Sequence, residues 1–451
     1  MLPDFDRSVL LPLTARDCAI GGIGLSVAFA LDAKEGDLDV EQLEAAVARV
    51  VEGWRFLAGR VVFRKELGTY AVLAPLGPLP PNHKACSFTV SSTPSKKSPF
   101  SNLPPLASST GHRIPFPAVS LIKPASVPSS LAAYAKSEHP ITAWHVSIFE
   151  DTTIVGLSVP HGCFDATGLG LVVKALDAEL HGKEIGWTGA WPPSNIARLV
   201  ANGAFESMWH KAEDGCVFVG KDLLADLVKE IKDKVQMESG GQEYVSEGDV
   251  LVNWFYKAVY QHDPSPPGSF FASCAVSLRE LVATPGMQLD LYPHNAVSGY
   301  SLNSSSPQTV ATFLSTPLWQ LALAHRRMLN ASRTLPAVQR LLEWIETKTT
   351  PSWPALPEAD CGWINPLAQR ETTGYWIYSN QLAANMTSIS FPSAATGVKL
   401  PLKAFLELGT SLDQFVTVNA LDEGWIFGAT MRRKRWDSVE RTVRELEAQR
   451  K

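Results

Sequence analysis

At 451 residues the chain is longer than one ordinary hydrophobic core organises, and it fits two or three domains. Its 45% hydrophobic and 19% charged residues exclude a disordered chain. A net charge of −5 offers no general attraction to phosphate backbones or anionic lipid, so neither nucleic acid nor a membrane is expected as a partner.

The longest apolar run, 18–31, is glycine-broken and too short to cross a bilayer, and no small-residue cleavage site marks it as a leader. The six cysteines (18, 86, 163, 216, 274 and 361) are scattered and form no CxxC pair, which points to reduced thiols and a cytoplasmic protein.

In chain order, the first clear helix is signalled by "GDLDVEQLEAAVARVVEGW" (36–54). Asp39 and Gln42 are spaced for a capping box, Leu38 and Leu43 for a hydrophobic staple, and Leu43, Val47 and Val50 repeat at helical spacing. The Pro- and Ser-rich stretch 91–130 predicts a long surface loop. Runs 143–149 and 154–159, joined by the polar "EDTT", predict an antiparallel hairpin. Apolar residues at 169, 172, 173, 176 and 180 then predict a helix with a buried face.

Regular signals weaken around 185–215, which divides the chain into an N-terminal domain (1–190), a crossover (191–215) and a C-terminal domain (216–451). Ser246 and Asp249 cap a helix over 246–260. Next comes a strand at 270–278, with Phe270, Ala272, Cys274, Val276 and Leu278 on one face and Arg279 ending the other. Helices are expected at 318–330 and 336–347, and a last one from Asp437, with Val439, Val443 and Leu446 inward. The basic run "MRRKRW" (431–436) reads as the solvated entry to that helix, capped by Asp437 and Glu440. Strands alternate with helices without strict βαβ order, so the fold class is α/β with mixed sheets.

The junction "SVPHGCFDATGLG" (158–170) sets His161 and Asp165 four apart between a strand and a helix. Taken alone, Asp165 reads as an N-cap and His161 as a strand-end residue. A metal site from His161, Cys163 and Asp165 has no second His/Cys cluster to complete it, so no metal is expected. Cys163 as a nucleophile has no neighbouring cation to hold a thiolate.

With Gly168, however, this stretch resembles the HxxxD(G) motif of the BAHD family of CoA-dependent acyltransferases, in its fungal branch. The likeness runs along the chain: "LPLTARDCA" (11–19), "FLAGRVVF" (56–63), "SEGDVLVNWFYKAV" (246–259) and "VSLRELVATPGMQLDLYPHNAVSGY" (276–300) are similar to family segments in order and spacing. The family's DFGWG signature has no clean copy; the matching stretch, 387–397, retains only Phe391.

The resemblance implies two chloramphenicol-acetyltransferase-like domains, each a mixed sheet flanked by helices, with the active-site channel at their interface. It makes His161 the general base, a role suited to a side chain that titrates near working pH. It pairs Asp165 with Arg279 as a strut for the catalytic loop. Ser379 and Asn380, with Thr387 behind them, become candidate oxyanion donors, and Asn295 falls on the family's asparagine. Acyl-CoA, with acetyl as the expected acyl group, is the implied co-substrate, and a hydroxyl of a small, mostly apolar metabolite the acceptor. Nothing requires more than a monomer. Two rivals remain: a free-standing condensation-type domain, from whose HHxxxDG motif Pro160 departs, and a catalytically idle binding homologue.

Overall fold

The computed structural model describes residues 8–183, 212–282, 297–340 and 374–450, except 14–16, 18–21, 23, 67, 78, 80–82, 102–110, 112, 117, 302–307 and 410–414. The runs Ala143–Phe149 and Thr153–Pro160 form the expected hairpin, with Ile148 opposite Thr153. Every residue of both strands is buried, as in a sheet covered on both faces. That sheet has five strands, in the order Leu402–Gly409, Gly24–Leu31, Thr153–Pro160, Ala143–Phe149 and Ser87–Thr93. The last pair is parallel and the others antiparallel.

A second, eight-stranded sheet has a parallel centre of Ser269–Ser277, Gly374–Asn380 and Phe415–Leu421, with antiparallel pairing on either side. A three-stranded antiparallel sheet (Ser8–Pro12, Thr69–Pro75, Arg60–Arg64) adds to the two expected. Each large sheet borrows a strand from the other half of the chain. Leu402–Gly409 pairs with Gly24–Leu31, and Arg113–Pro115 pairs with Ala212–Gly220.

The second exchange corrects the reading of 91–130 as a surface loop. Ser91–Thr93 ends a strand, Arg113–Pro115 forms another, and Phe100 and Ile122 are buried. The apolar residues among the prolines have a core to join, which composition alone does not reveal.

Helix Val40–Gly53 starts where expected, but only half of the capping box forms: Asp39 accepts from the Gln42 amide at 2.8 Å. Helix Glu247–Gln261 has the full reciprocal box between Ser246 and Asp249. Helix Leu318–Ser332 follows, while the helix expected at 336–347 is described only as far as 340.

The terminal helix corrects a boundary. It runs Arg433–Arg450, so Asp437 is not its cap but an i+4 partner of Arg433 at 2.9 Å. The basic run is not wholly solvated either, because Arg435 is buried against the rings of Tyr260 and Trp376, 5.5 and 5.6 Å from their centroids. Val439 and Val443 are buried, and Leu446 packs against the same core. Among the described residues, no helix is long and apolar enough to cross a membrane.

Candidate active site

Pro160 ends the central strand of the first sheet, and Asp165 starts helix Ala166–Leu180, so His161 lies on a four-residue link (161–164) between two buried elements. The link is tightly held. A Cβ on Gly162 would come within 2.6 Å of Leu131 Cδ1 and 2.7 Å of the Asp17 carbonyl, so only glycine fits there. Cys163 and Phe164 are buried in the core.

His161 itself is half-buried, and its Nδ1 lies 2.8 Å from the Phe164 carbonyl oxygen. A carbonyl only accepts, so Nδ1 carries the proton and Nε2 carries the lone pair. That is the tautomer a general base at Nε2 requires, with Nδ1 engaged by the main chain.

Asp165 is 5% exposed and has two roles. Its Oδ1 accepts from the Gly168 amide at 2.7 Å, making it the N-cap, and both oxygens accept from Arg279, Nη1 to Oδ2 and Nη2 to Oδ1, each at 2.8 Å. The planar guanidinium matches the carboxylate edge to edge, across 114 positions of sequence. Asp165 therefore caps the helix and pairs with Arg279 at the same time. Arg279 departs from its expected place at a strand end: the strand closes at Ser277, and Arg279 begins the short helix Arg279–Val282. Such a buried pair fixes geometry more than it adds net stability.

The helix after the loop is pressed against the C-terminal half. At Gly170 a Cβ would lie 2.6 Å from the Ala384 carbonyl oxygen, so helix and turn meet backbone to backbone. The Leu382–Ala384 turn follows directly on strand Gly374–Asn380, which carries two of the candidate oxyanion donors. Ser379 is half-buried opposite Thr417. Asn380 is exposed, its Oδ1 accepts from the Leu382 amide at 3.0 Å, and its amide nitrogen lies against Gly248 in the first turn of helix Glu247–Gln261. The Thr387 hydroxyl donates to the Ala420 carbonyl, so its one proton is committed there. Phe391 is buried and packs on Phe29, centroids 5.7 Å apart. Asn295 lies outside the described residues.

Sequence reasoning singled out His161, Asp165, Gly168 and Arg279 but missed the Phe164 carbonyl and the close contacts at Gly162 and Gly170. The glycines were visible in "HGCFDATGLG"; the carbonyl had no signal, since every residue carries one. Among the described residues, no group of three or more His, Cys, Asp or Glu side chains is placed to hold a metal.

The chain has the fold of the solved structures of TRI101 and vinorine synthase, which are BAHD acyltransferases. The solved structure of TRI101 from F. sporotrichioides, complexed with coenzyme A and T-2, superposes with a TM-score of 0.68 at 13% identity, covering 96% of this chain and 97% of that one.

No family model matches the sequence. The O-acyltransferase pboC of Aspergillus ustus is 25% identical over 169 residues, 29% of this chain and 33% of pboC. The acetyltransferase sphE of Aspergillus fumigatus is 24% identical over 276 residues, 51% of each chain. A third relative, calD of Penicillium decumbens, is 26% identical over 163 residues, 30% of this chain and 33% of calD, and is named a transcriptional regulator. The matches thus span between a third and a half of these relatives.

Proposed function

We propose that the protein transfers an acyl group, acetyl first among them, from acyl-CoA to a hydroxyl of a small, mostly apolar metabolite. His161 Nε2 takes the acceptor's proton as its oxygen attacks the thioester carbonyl, and the coenzyme leaves as the thiol. Ser379 and Asn380 stand as donors to the oxyanion. Asp165 and Arg279 move no proton; they hold the loop that aims the imidazole.

The observation that carries this reading is the His161 loop itself. Its histidine has Nδ1 engaged by a main-chain carbonyl, and its aspartate turns away to a buried arginine. The names of pboC and sphE, and the coenzyme bound to TRI101, support the donor and the reaction class. The division into domains near 191–215, a cytoplasmic setting and a monomeric state belong to the same reading.

The test is release of free thiol from acetyl-CoA in the presence of a library of hydroxylated metabolites. Acceptor-dependent release that His161→Ala abolishes supports the proposal; no release with any acceptor overturns it. The name of calD favours one second reading, a homologue that binds a small molecule without turning it over. Coenzyme or metabolite binding without turnover would select it.

A further inference from the structure

Helix Ala166–Leu180 carries glycine at position 170, in its second turn, where alanine would favour the helix. The three atoms nearest a Cβ built there all belong to Ala384: the carbonyl oxygen at 2.6 Å, Cβ at 3.2 Å and the carbonyl carbon at 3.3 Å. Ordinary contact begins at 3.4 Å, so a methyl group at 170 would push helix and turn apart by roughly 1 Å. The turn has little freedom to give way. The Gln381 amide donates to the Val418 carbonyl at 3.1 Å and the Thr387 hydroxyl to the Ala420 carbonyl, so both ends of 381–387 are fastened to strand Phe415–Leu421. Between them Asn385 takes a φ of +47°, the one non-glycine in the left-handed region among the described residues.

What the helix and the turn carry gives this contact its importance. Asp165, at the start of the helix, is held by Arg279, which follows strand Ser269–Ser277, and Ala384 follows strand Gly374–Asn380. These two strands are parallel neighbours, with Cys274 opposite Tyr378. The helix is thus anchored at the carboxyl ends of two adjacent strands, at points about 7.5 Å apart along its axis. One anchor fixes a point; two fix the direction in which the His161 loop enters the helix. Two turns beyond Gly170, on the same face, Asp177 Oδ1 accepts from the Ser390 amide at 2.8 Å. With the helix held at Asp165 and at Asp177, a push at Gly170 is not relieved by swinging the helix away. It passes instead to the turn and to the strand end that bears Ser379 and Asn380.

We propose that Gly170 is a positioning residue for the reaction: its bare main chain sets the separation between His161 and the candidate oxyanion donors at the end of strand Gly374–Asn380. The proposal rests on the acyl-transfer reading and adds to it a residue outside the reacting groups. A base works only within hydrogen-bond reach of the proton it takes, and a displacement of about 1 Å costs on the order of 10²-fold in rate.

The experiment compares wild type with Gly170→Ala in two measurements, each made well below the melting temperatures. One is steady-state acetyl transfer from acetyl-CoA; the other is hydrogen exchange of the amides at 161–169 and 382–388. Gly170→Ala is expected to lower kcat by about 10- to 100-fold with KM little changed, and to raise exchange in both segments together. A folded variant with the kcat of wild type overturns the proposal, because a contact that only stabilises leaves the turnover of folded protein alone. Exchange that rises in one segment only overturns it too. If wild type transfers acetyl to no acceptor, the acyl-transfer reading fails by itself. A joint rise in exchange then still keeps Gly170 as the residue that couples the two segments, and the absence of a rise removes it as well. Should Gly170→Ala not fold, Ala384→Gly loosens the same contact from the other side and is expected to give the same two changes in smaller measure. An Ala384→Gly protein with the kcat and the exchange of wild type overturns the proposal.

Discussion

The Asp165 carboxylate accepts three hydrogen bonds at once, one from the helix it starts and two from Arg279. Asparagine caps a helix nearly as well as aspartate, so Asp165→Asn keeps the first bond and weakens the other two, whereas Asp165→Ala loses all three. Chemical denaturation is expected to place the alanine variant about 1 kcal/mol below the asparagine variant, the worth of a cap. Arg279→Met and Asp165→Asn are expected to be non-additive, with a coupling of about 1–3 kcal/mol, because each single change breaks the same contact. Strict additivity would show that the pair carries no energy. His161→Ala is expected to cost about 10²- to 10⁴-fold in kcat while the melting temperature stays near that of wild type. Kinetics on the folded variant decide it, and a kcat near wild type would remove the histidine from the chemistry. The four-residue spacing of His161 and Asp165 was legible because a motif is local. The acceptor for Nδ1 was not, because a main-chain carbonyl leaves no mark on residue identity.

The start of helix Glu247–Gln261 gathers a buried polar cluster. Ser246 and Asp249 cap each other, Arg326 donates to Asp249 at 2.8 Å through Nε, and His325 Nδ1 lies 3.5 Å from Asp249 Oδ1. Burial lowers the His325 pKa to about 4; Asp249 opposes the shift and Arg326 adds to it. The unfolded chain takes up this proton near pH 6.5, the folded protein only near 4, so stability falls as pH drops through that window and levels off below it. Between pH 7 and pH 5 the loss from this one group is on the order of 2 kcal/mol. Urea unfolding at the two pH values checks the figure, and His325→Gln is expected to remove most of the difference. The cap was legible from Ser246 and Asp249 alone. The burial of Arg435 was not: a run of basic residues ordinarily faces water, and the rings of Tyr260 and Trp376 that receive it lie far away in sequence.

Across the whole molecule, neither large sheet is complete within its own half of the chain. Residues 1–190 expressed alone would leave Gly24–Leu31 as an uncovered edge where Leu402–Gly409 now pairs. That fragment is expected to aggregate, while the full chain unfolds in a single calorimetric transition. Two separate transitions, or a monomeric folded fragment, would show that the halves are energetically independent. The alternation of strands and helices made the fold class legible, and the spaced family segments made its architecture so. The exchanged strands were not, because pairing between residues a hundred or more positions apart has no local periodicity.

The borrowed strand also bears on the order of events during synthesis. By the time Thr153–Pro160 leaves the ribosome, four of the five strands of the first sheet exist, and the fifth is about 240 residues away. At about 5–20 residues per second, that strand arrives roughly 10–50 seconds later. Throughout that interval a largely apolar strand edge is open to pairing with any neighbouring nascent chain, a hazard the mature protein never presents. The segment that carries His161 is therefore made early, but Arg279 joins Asp165 and the sheet is sealed only as the later half of the chain emerges, which makes protection of the unfinished N-terminal half a condition for producing active protein.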